Sequence, residues 1–236
     1  MKPTAWVLSL AILSCALAAP ARAEPPPLFG TVEFRAESLA ALPQWRRVLD
    51  RIEEEQPIYR ACGASSDACP SRGVMAWRSM VRAQIGNPPH EQLRAVNRFV
   101  NSWPYKSDME NYGRRDYWAS PLEFLARSGD CEDYAIVKYA TLRELGFDAR
   151  RLRLVVVHDV LRDIAHAVLA VYLDDEVYIL DNLTNAVLPQ RRVTQYAPYY
   201  SVNEHARWAL VAPAAPLVAI ANGAVNPGGP RLAAGD

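Results

Sequence analysis

A cysteine where a helix begins, a histidine beside a strand and an aspartate at the end of the next strand supply the parts of a nucleophilic site. The run Gly129-Asp130-Cys131-Glu132-Asp133-Tyr134 sets Cys131 at a helix start, where unpaired backbone N–H groups and the helix dipole favour a thiolate. His166 precedes the apolar run Ala167 to Leu173, and Asp181 closes the run Val177 to Leu180. A hairpin of those two runs brings both side chains to one edge. A thiol needs a base to take its proton, and that imidazole needs an acid to hold its tautomer and stabilise its cation. Taken singly, the three residues read more plainly, as a buried helix-start cysteine, an edge-strand histidine and a turn aspartate. Their joint placement makes a Cys131, His166, Asp181 triad the expected chemistry. His90, His158 and His205 have no metal-ligand spacing, and no glycine-rich nucleotide loop is present.

The elements that must position these residues can be read from periodicity. Helical patterns run over Pro43 to Glu55, Ser71 to Ile85 and Pro89 to Ser102, with a short helix over Pro121 to Ala126. The helix of Cys131 extends to Leu145 and stops at Gly146. From there the pattern becomes β: Leu152 to Val157, Ala167 to Leu173 and Val177 to Leu180, the last two a hairpin turned by Asp174-Asp175-Glu176, and a fourth strand near Ala206 to Val211. Helices followed by mostly antiparallel strands predict an α+β domain in which the cysteine-bearing helix lies on one face of the sheet.

With 236 residues, half of them hydrophobic, the chain has enough material for one good core. Its 26 basic and 26 acidic residues balance, with no block of like charge, so nothing points to nucleic acid or to a polybasic membrane patch. Residues 1–23 read as a signal peptide: Lys2 leads an apolar run from Trp6 to Ala19, and Ala21-Arg22-Ala23 fits a cleavage site. That run of about 14 residues falls short of the roughly 20 that span a bilayer. The expected organisation is this leader, a Pro-rich stretch over 24–28, one domain over 29–212, and an Ala/Pro/Gly-rich tail over 213–236, both ends extended or mobile. An exported chain meets an oxidising compartment, and losing the leader leaves Cys62, Cys69 and Cys131. The two neighbours, Cys62 and Cys69, enclose a small polar segment and are the expected disulfide, which leaves Cys131 as the free thiol.

The sequence resembles the bacterial transglutaminase-like cysteine peptidases, LapG-type periplasmic proteases among them. The resemblance spans about Phe29 to Leu210 and is carried by Asp116-Tyr117-Trp118-Ala119-Ser120-Pro121, Gly129 to Ala135, Ala165-His166-Ala167-Val168-Leu169 and Leu180-Asp181-Asn182-Leu183. It implies a papain-like, transglutaminase-core fold and a Cys131/His166/Asp181 thioester mechanism. It also implies a calcium ion beside the nucleophile, with Asp130 and Glu132 as ligands and Asp133 and Asp116 as further candidates. A cation there makes physical sense, because carboxylates flanking Cys131 otherwise raise its pKa, and calcium takes hard oxygen ligands. The plainer reading has Asp130 capping the helix and Glu132 and Asp133 complementing its dipole. The backbone N–H of Cys131 is the natural first oxyanion donor. The indole of Trp118 is the candidate second, a core tryptophan being its other reading, and Tyr105 and Tyr112 stand behind it. Tyr112-Gly113 departs from a Trp-Gly pair of the family, which bears on pocket shape. For LapG-type members the resemblance further implies a periplasmic location, a large surface adhesin as protein substrate and an inner-membrane receptor for a cyclic dinucleotide as regulator. Two other functions fit the same residues: acyl transfer to an amine, as in a transglutaminase or amidase, and a non-catalytic calcium-responsive binding module.

Overall fold

The structure, a computed structural model, describes residues 26–213; the expected signal peptide and all but the first residue of the expected tail lie outside them. Strand β1 (Val32–Ala36) is followed by six helices: α1 (Pro43–Ala64), α2 (Arg72–Gln84), α3 (Pro89–Val100), α4 (Asp108–Tyr112), α5 (Pro121–Arg127) and α6 (Cys131–Glu144). Strands β2 (Leu152–Asp159), β3 (Ile164–Leu173), β4 (Glu176–Leu180), β5 (Leu188–Pro189), β6 (Tyr196–Val202) and β7 (Arg207–Val211) complete the domain. All pair antiparallel in one sheet of order β1-β7-β6-β2-β3-β4-β5.

Period-two alternation explains how the central strands bury both faces. On β3, Leu169, Val171 and Leu173 enter the core shared with the helices. Val168, Ala170 and Tyr172 enter a second core on the opposite face, with Val155 and Val157 of β2, Tyr196 of β6 and Trp208 of β7. This two-sided burial is why the run reads as continuously apolar. Helix α6 lies between the other helices and the sheet, and every residue from Asp133 to Leu142 is buried, so it too lacks a clean polar face.

Several elements differ from the sequence expectation. Helix α1 continues nine residues past Glu55 with Pro57 inside it. The lost backbone hydrogen bond is outweighed by the complete burial of Tyr59 and Cys62 on the added turns. Strands β1 and β6 were not expected, because β1 is a half-exposed edge and β6 carries Pro198. The one-turn helix α4 is held by a capping box, in which Ser107 Oγ accepts from the Glu110 N–H and Glu110 accepts from the Ser107 N–H. Cys62 and Cys69 form the expected disulfide, with Cα atoms 4.4 Å apart.

Candidate active site

Helix α6 begins at Cys131, so the thiol stands in its first turn, beside backbone N–H groups that have no intrahelical acceptor. The turn is shaped from upstream. Asp133 Oδ2 accepts the N–H of Asp130 (3.2 Å) and its Oδ1 accepts the N–H of Ala119 (2.6 Å), which ties the loop before α5 to the start of α6. Gly129 is required here, since a Cβ at that position would stand 2.1 Å from Asp133 Oδ2. Tyr105 pairs alongside Gly129, and Lys106 donates its N–H to the Gly129 carbonyl. The segment leading to α4 is thereby laid along the same turn.

Strand β3 carries His166 and the residue after β4 is Asp181; both are buried. His166 Nε2 and Asp181 Oδ1 are 2.9 Å apart, which leaves Nδ1 as the ring nitrogen open to a thiol. Asp181 also receives the Leu183 N–H on Oδ1 (3.0 Å) and the Tyr196 hydroxyl on Oδ2 (2.5 Å). Burial pushes its pKa up, but the His166 hydrogen bond and charge, and then the Tyr196 and Leu183 donors, outweigh this and hold it below the ordinary carboxylate value. Cys131 and His166 line a single cleft of about 480 Å³ with Trp103, Tyr105, Ile164 and Leu183. The Cys131 thiol donates to Glu132 Oε2 at 3.1 Å. Burial, then the charges of Glu132 and Asp130, raise the thiol pKa.

Beside the nucleophile the carboxylates converge. Oxygens of Asp108, Asp116 and Glu132 lie within 4.8 Å of one another, as do those of Asp108, Asp130 and Asp133. Burial, with Glu132 next, lifts Asp130 to about 8, and burial lifts Asp108 to about 6. Glu132 and Asp133 are raised as well, again by burial first. Asp108 Oδ1 and Asp130 Oδ1 are buried with no hydrogen-bond partner among the described residues. Buried acceptors left unpaired are costly, and carboxylate oxygens so placed fit a hard cation such as calcium. All four ligand candidates read from the sequence, Asp130, Glu132, Asp133 and Asp116, join these clusters, and both oxygens of Asp133 also accept backbone N–H groups. Asp108 went unread: it lies far upstream on a one-turn helix, and the only local signal was the Ser107-x-x-Glu110 cap that fixes that helix.

Trp118 is not among the residues that line the cleft. Its ring is buried edge-on against Trp45, 6.3 Å between centroids, and its carbonyl is taken by Arg47. This is the core reading of the residue, because the loop that carries it is committed to Asp133. Tyr105, by contrast, is exposed on the cleft wall.

Comparison with known proteins fits this geometry. Residues 53–214, more than half of the chain, match the model of a family described as bacterial transglutaminase-like cysteine proteinase. The chain belongs to that family. It is accordingly a cysteine peptidase with a protein substrate, built on the expected papain-like, transglutaminase-core fold. Among solved structures it is similar to Legionella pneumophila LapG, at 31% identity and a TM-score of 0.56 over 65% of this chain and 86% of that one. Calcium-bound LapG from the same organism is 30% identical, with a TM-score of 0.57 over 67% and 87% of the two chains. An EGTA-treated form is 31% identical, with a TM-score of 0.56 over 65% and 84%. No curated protein matches the chain.

Proposed function

We propose that this peptidase is an exported endopeptidase whose catalytic residues are Cys131, His166 and Asp181. The observation that carries the proposal is the buried 2.9 Å contact between His166 Nε2 and Asp181 in the wall of the cleft that holds Cys131. Asp181 holds the Nε2–H tautomer, so Nδ1 takes the thiol proton as sulfur attacks the substrate carbonyl carbon. The oxyanion that forms meets the Cys131 backbone N–H. Collapse breaks the C–N bond, with His166 returning the proton to the leaving amine, and a thioester remains. His166 then takes a proton from water, whose oxygen attacks the thioester and releases the carboxylic acid and the thiol.

Calcium is proposed beside this site, held by Asp130 and Glu132 with Asp108 and Asp116, and the calcium-bound form of LapG supports it. When bound, the ion supplies positive charge that offsets the carboxylates around Cys131. The leader read over 1–23 supports a periplasmic location. The LapG-type resemblance supports a large surface adhesin as substrate and an inner-membrane cyclic-dinucleotide receptor as regulator.

The test is the rate of iodoacetamide alkylation of Cys131 in the mature protein across pH, with calcium or EGTA, read by peptide mass. An apparent thiol pKa well below the unperturbed value of about 8.5 in calcium, rising in EGTA, is expected. A thiol that reacts only in alkali with or without calcium would remove both the triad and the ion. Cys131→Ala should abolish proteolysis, and a fully active C131A protein would exclude Cys131 as nucleophile.

A further inference from the structure

Asp181 has a third partner that the three-residue mechanism does not use. Tyr196 opens β6 and is buried; its hydroxyl stands 2.5 Å from Asp181 Oδ2, and its ring centroid is 5.5 Å from that of His166. In the sheet order β2 and β3 lie between β6 and β4, so only a long side chain from β6 can meet a carboxylate set just past β4. The base of β6 is itself anchored: Tyr196 pairs with Asp159 of β2, and the Val160 N–H donates to the Gln195 carbonyl. The two oxygens of Asp181 are thus shared out. Oδ1 serves His166 and the Leu183 N–H, and Oδ2 has Tyr196 alone among the described hydrogen bonds.

We propose that Tyr196 is a positioning residue of the peptidase, acting on His166 through Asp181 by fixing the carboxylate so that Oδ1 faces Nε2. The inference rests on the triad proposed above. A carboxylate held at one oxygen only can rotate about its terminal torsion, which is broad and soft. A second donor on the other oxygen removes that freedom and strengthens the charged form. The remaining charged groups felt around the pair are Lys138 from α6 and Arg162 from the β2–β3 turn, which act on Asp181, and Asp159 of β2, which acts on Tyr196. None of them replaces the phenol on Oδ2 among the described hydrogen bonds. Tyr196 also lines a separate cavity of about 390 Å³ with Phe29, Arg191 and Val193; Tyr196→Phe removes the hydroxyl and keeps the ring.

The experiment is a double-mutant cycle of Y196F and D181N, reading the pH profile of Cys131 alkylation by iodoacetamide with calcium saturating, so that the charge of the neighbouring carboxylates stays constant. Y196F alone is expected to move the acid limb to higher pH and to slow alkylation near neutrality by roughly fivefold to tenfold. In the D181N background it should add less than about twofold. Independent, multiplying effects, or a Y196F profile equal to wild type beside a slowed D181N, would overturn the role of Tyr196 and leave the triad standing. A wild type reactive only in alkali, with D181N indifferent, would overturn the triad and Tyr196 with it. Loss of the cooperative thermal transition in Y196F would assign the residue to the core instead.

Discussion

A buried carboxylate can steer an imidazole only while it stays charged, and at Asp181 the donors His166, Tyr196 and Leu183 see to that. Its depressed pKa gives the sign of the acid response. The stabilising pair is present above the unfolded carboxylate value of about 4 and is lost as pH falls through the lower folded value. Activity should therefore hold through mildly acidic pH as far as Asp181 is concerned. Asp181→Asn keeps the shape but turns an NH2 group or a neutral oxygen towards Nε2. It should lower kcat by up to about 10⁴-fold while leaving less damage than Cys131→Ala; a D181N enzyme with wild-type kcat would remove Asp181 from the mechanism. The places of Cys131 at a helix start and Asp181 at a strand end were legible because such boundaries leave a mark in the sequence, whereas His166, read as just preceding its strand, lies three residues into β3. Asp108 and Tyr196 were not legible, because what matters about them is a contact across the fold, and the residues around them carry no spacing that announces it.

The element that governs the site is α6, and its first turn is shaped by groups outside it. The backbone N–H groups of Ala119 and Asp130 converge on Asp133, so the cysteine turn cannot move without the loop before α5 moving too. Gly129→Ala tests this linkage, because its Cβ would stand 2.1 Å from Asp133 Oδ2 and 2.7 Å from Asp133 Cβ. Relief requires moving a buried carboxylate off its donors, so G129A should cost about 1–3 kcal/mol in denaturant melts and slow Cys131 alkylation. A variant with wild-type stability would mean the turn is more pliant than its packing implies. Helices α2, α3, α5 and α6 were legible to within two residues at each end. Past Glu55, α1 was not, because Pro57 argues locally for a stop and the burial that overrides it is tertiary. The edge strand β1 pairs only with the distant β7, and β6 carries Pro198; neither alternates cleanly, so neither announces itself locally.

Over the whole molecule charge is balanced, yet acid concentrates beside the cysteine turn. The Cys62–Cys69 bridge lies at the far end of α1 from this site and closes a short loop, so Cys69→Ser should cost about 2 kcal/mol and leave the alkylation rate of Cys131 unchanged. The carboxylate cluster has a larger consequence. Asp108, Asp130, Glu132 and Asp133 all have folded pKa values above their unfolded ones. In EGTA the folded state therefore binds more protons than the unfolded chain from about pH 4 upward. Their contribution to stability is complete below that value and is lost as pH rises through about 6 at Asp108 and about 8 at Asp130. The proposed calcium ion would bind the deprotonated carboxylates, so its stabilisation should grow over the same window, reaching about 2.7 kcal/mol when the ion is at 100 times its dissociation constant. Thermal melts in calcium and in EGTA should thus nearly coincide at pH 4 and separate progressively towards pH 8. Magnesium should substitute poorly, because it demands a tighter octahedral shell than carboxylates on two helices and a loop can form without moving. If the two melting curves stay parallel across that range, the acids are neutralised by protons rather than by a cation, and the high thiol pKa of the ion-free site becomes the working state of Cys131.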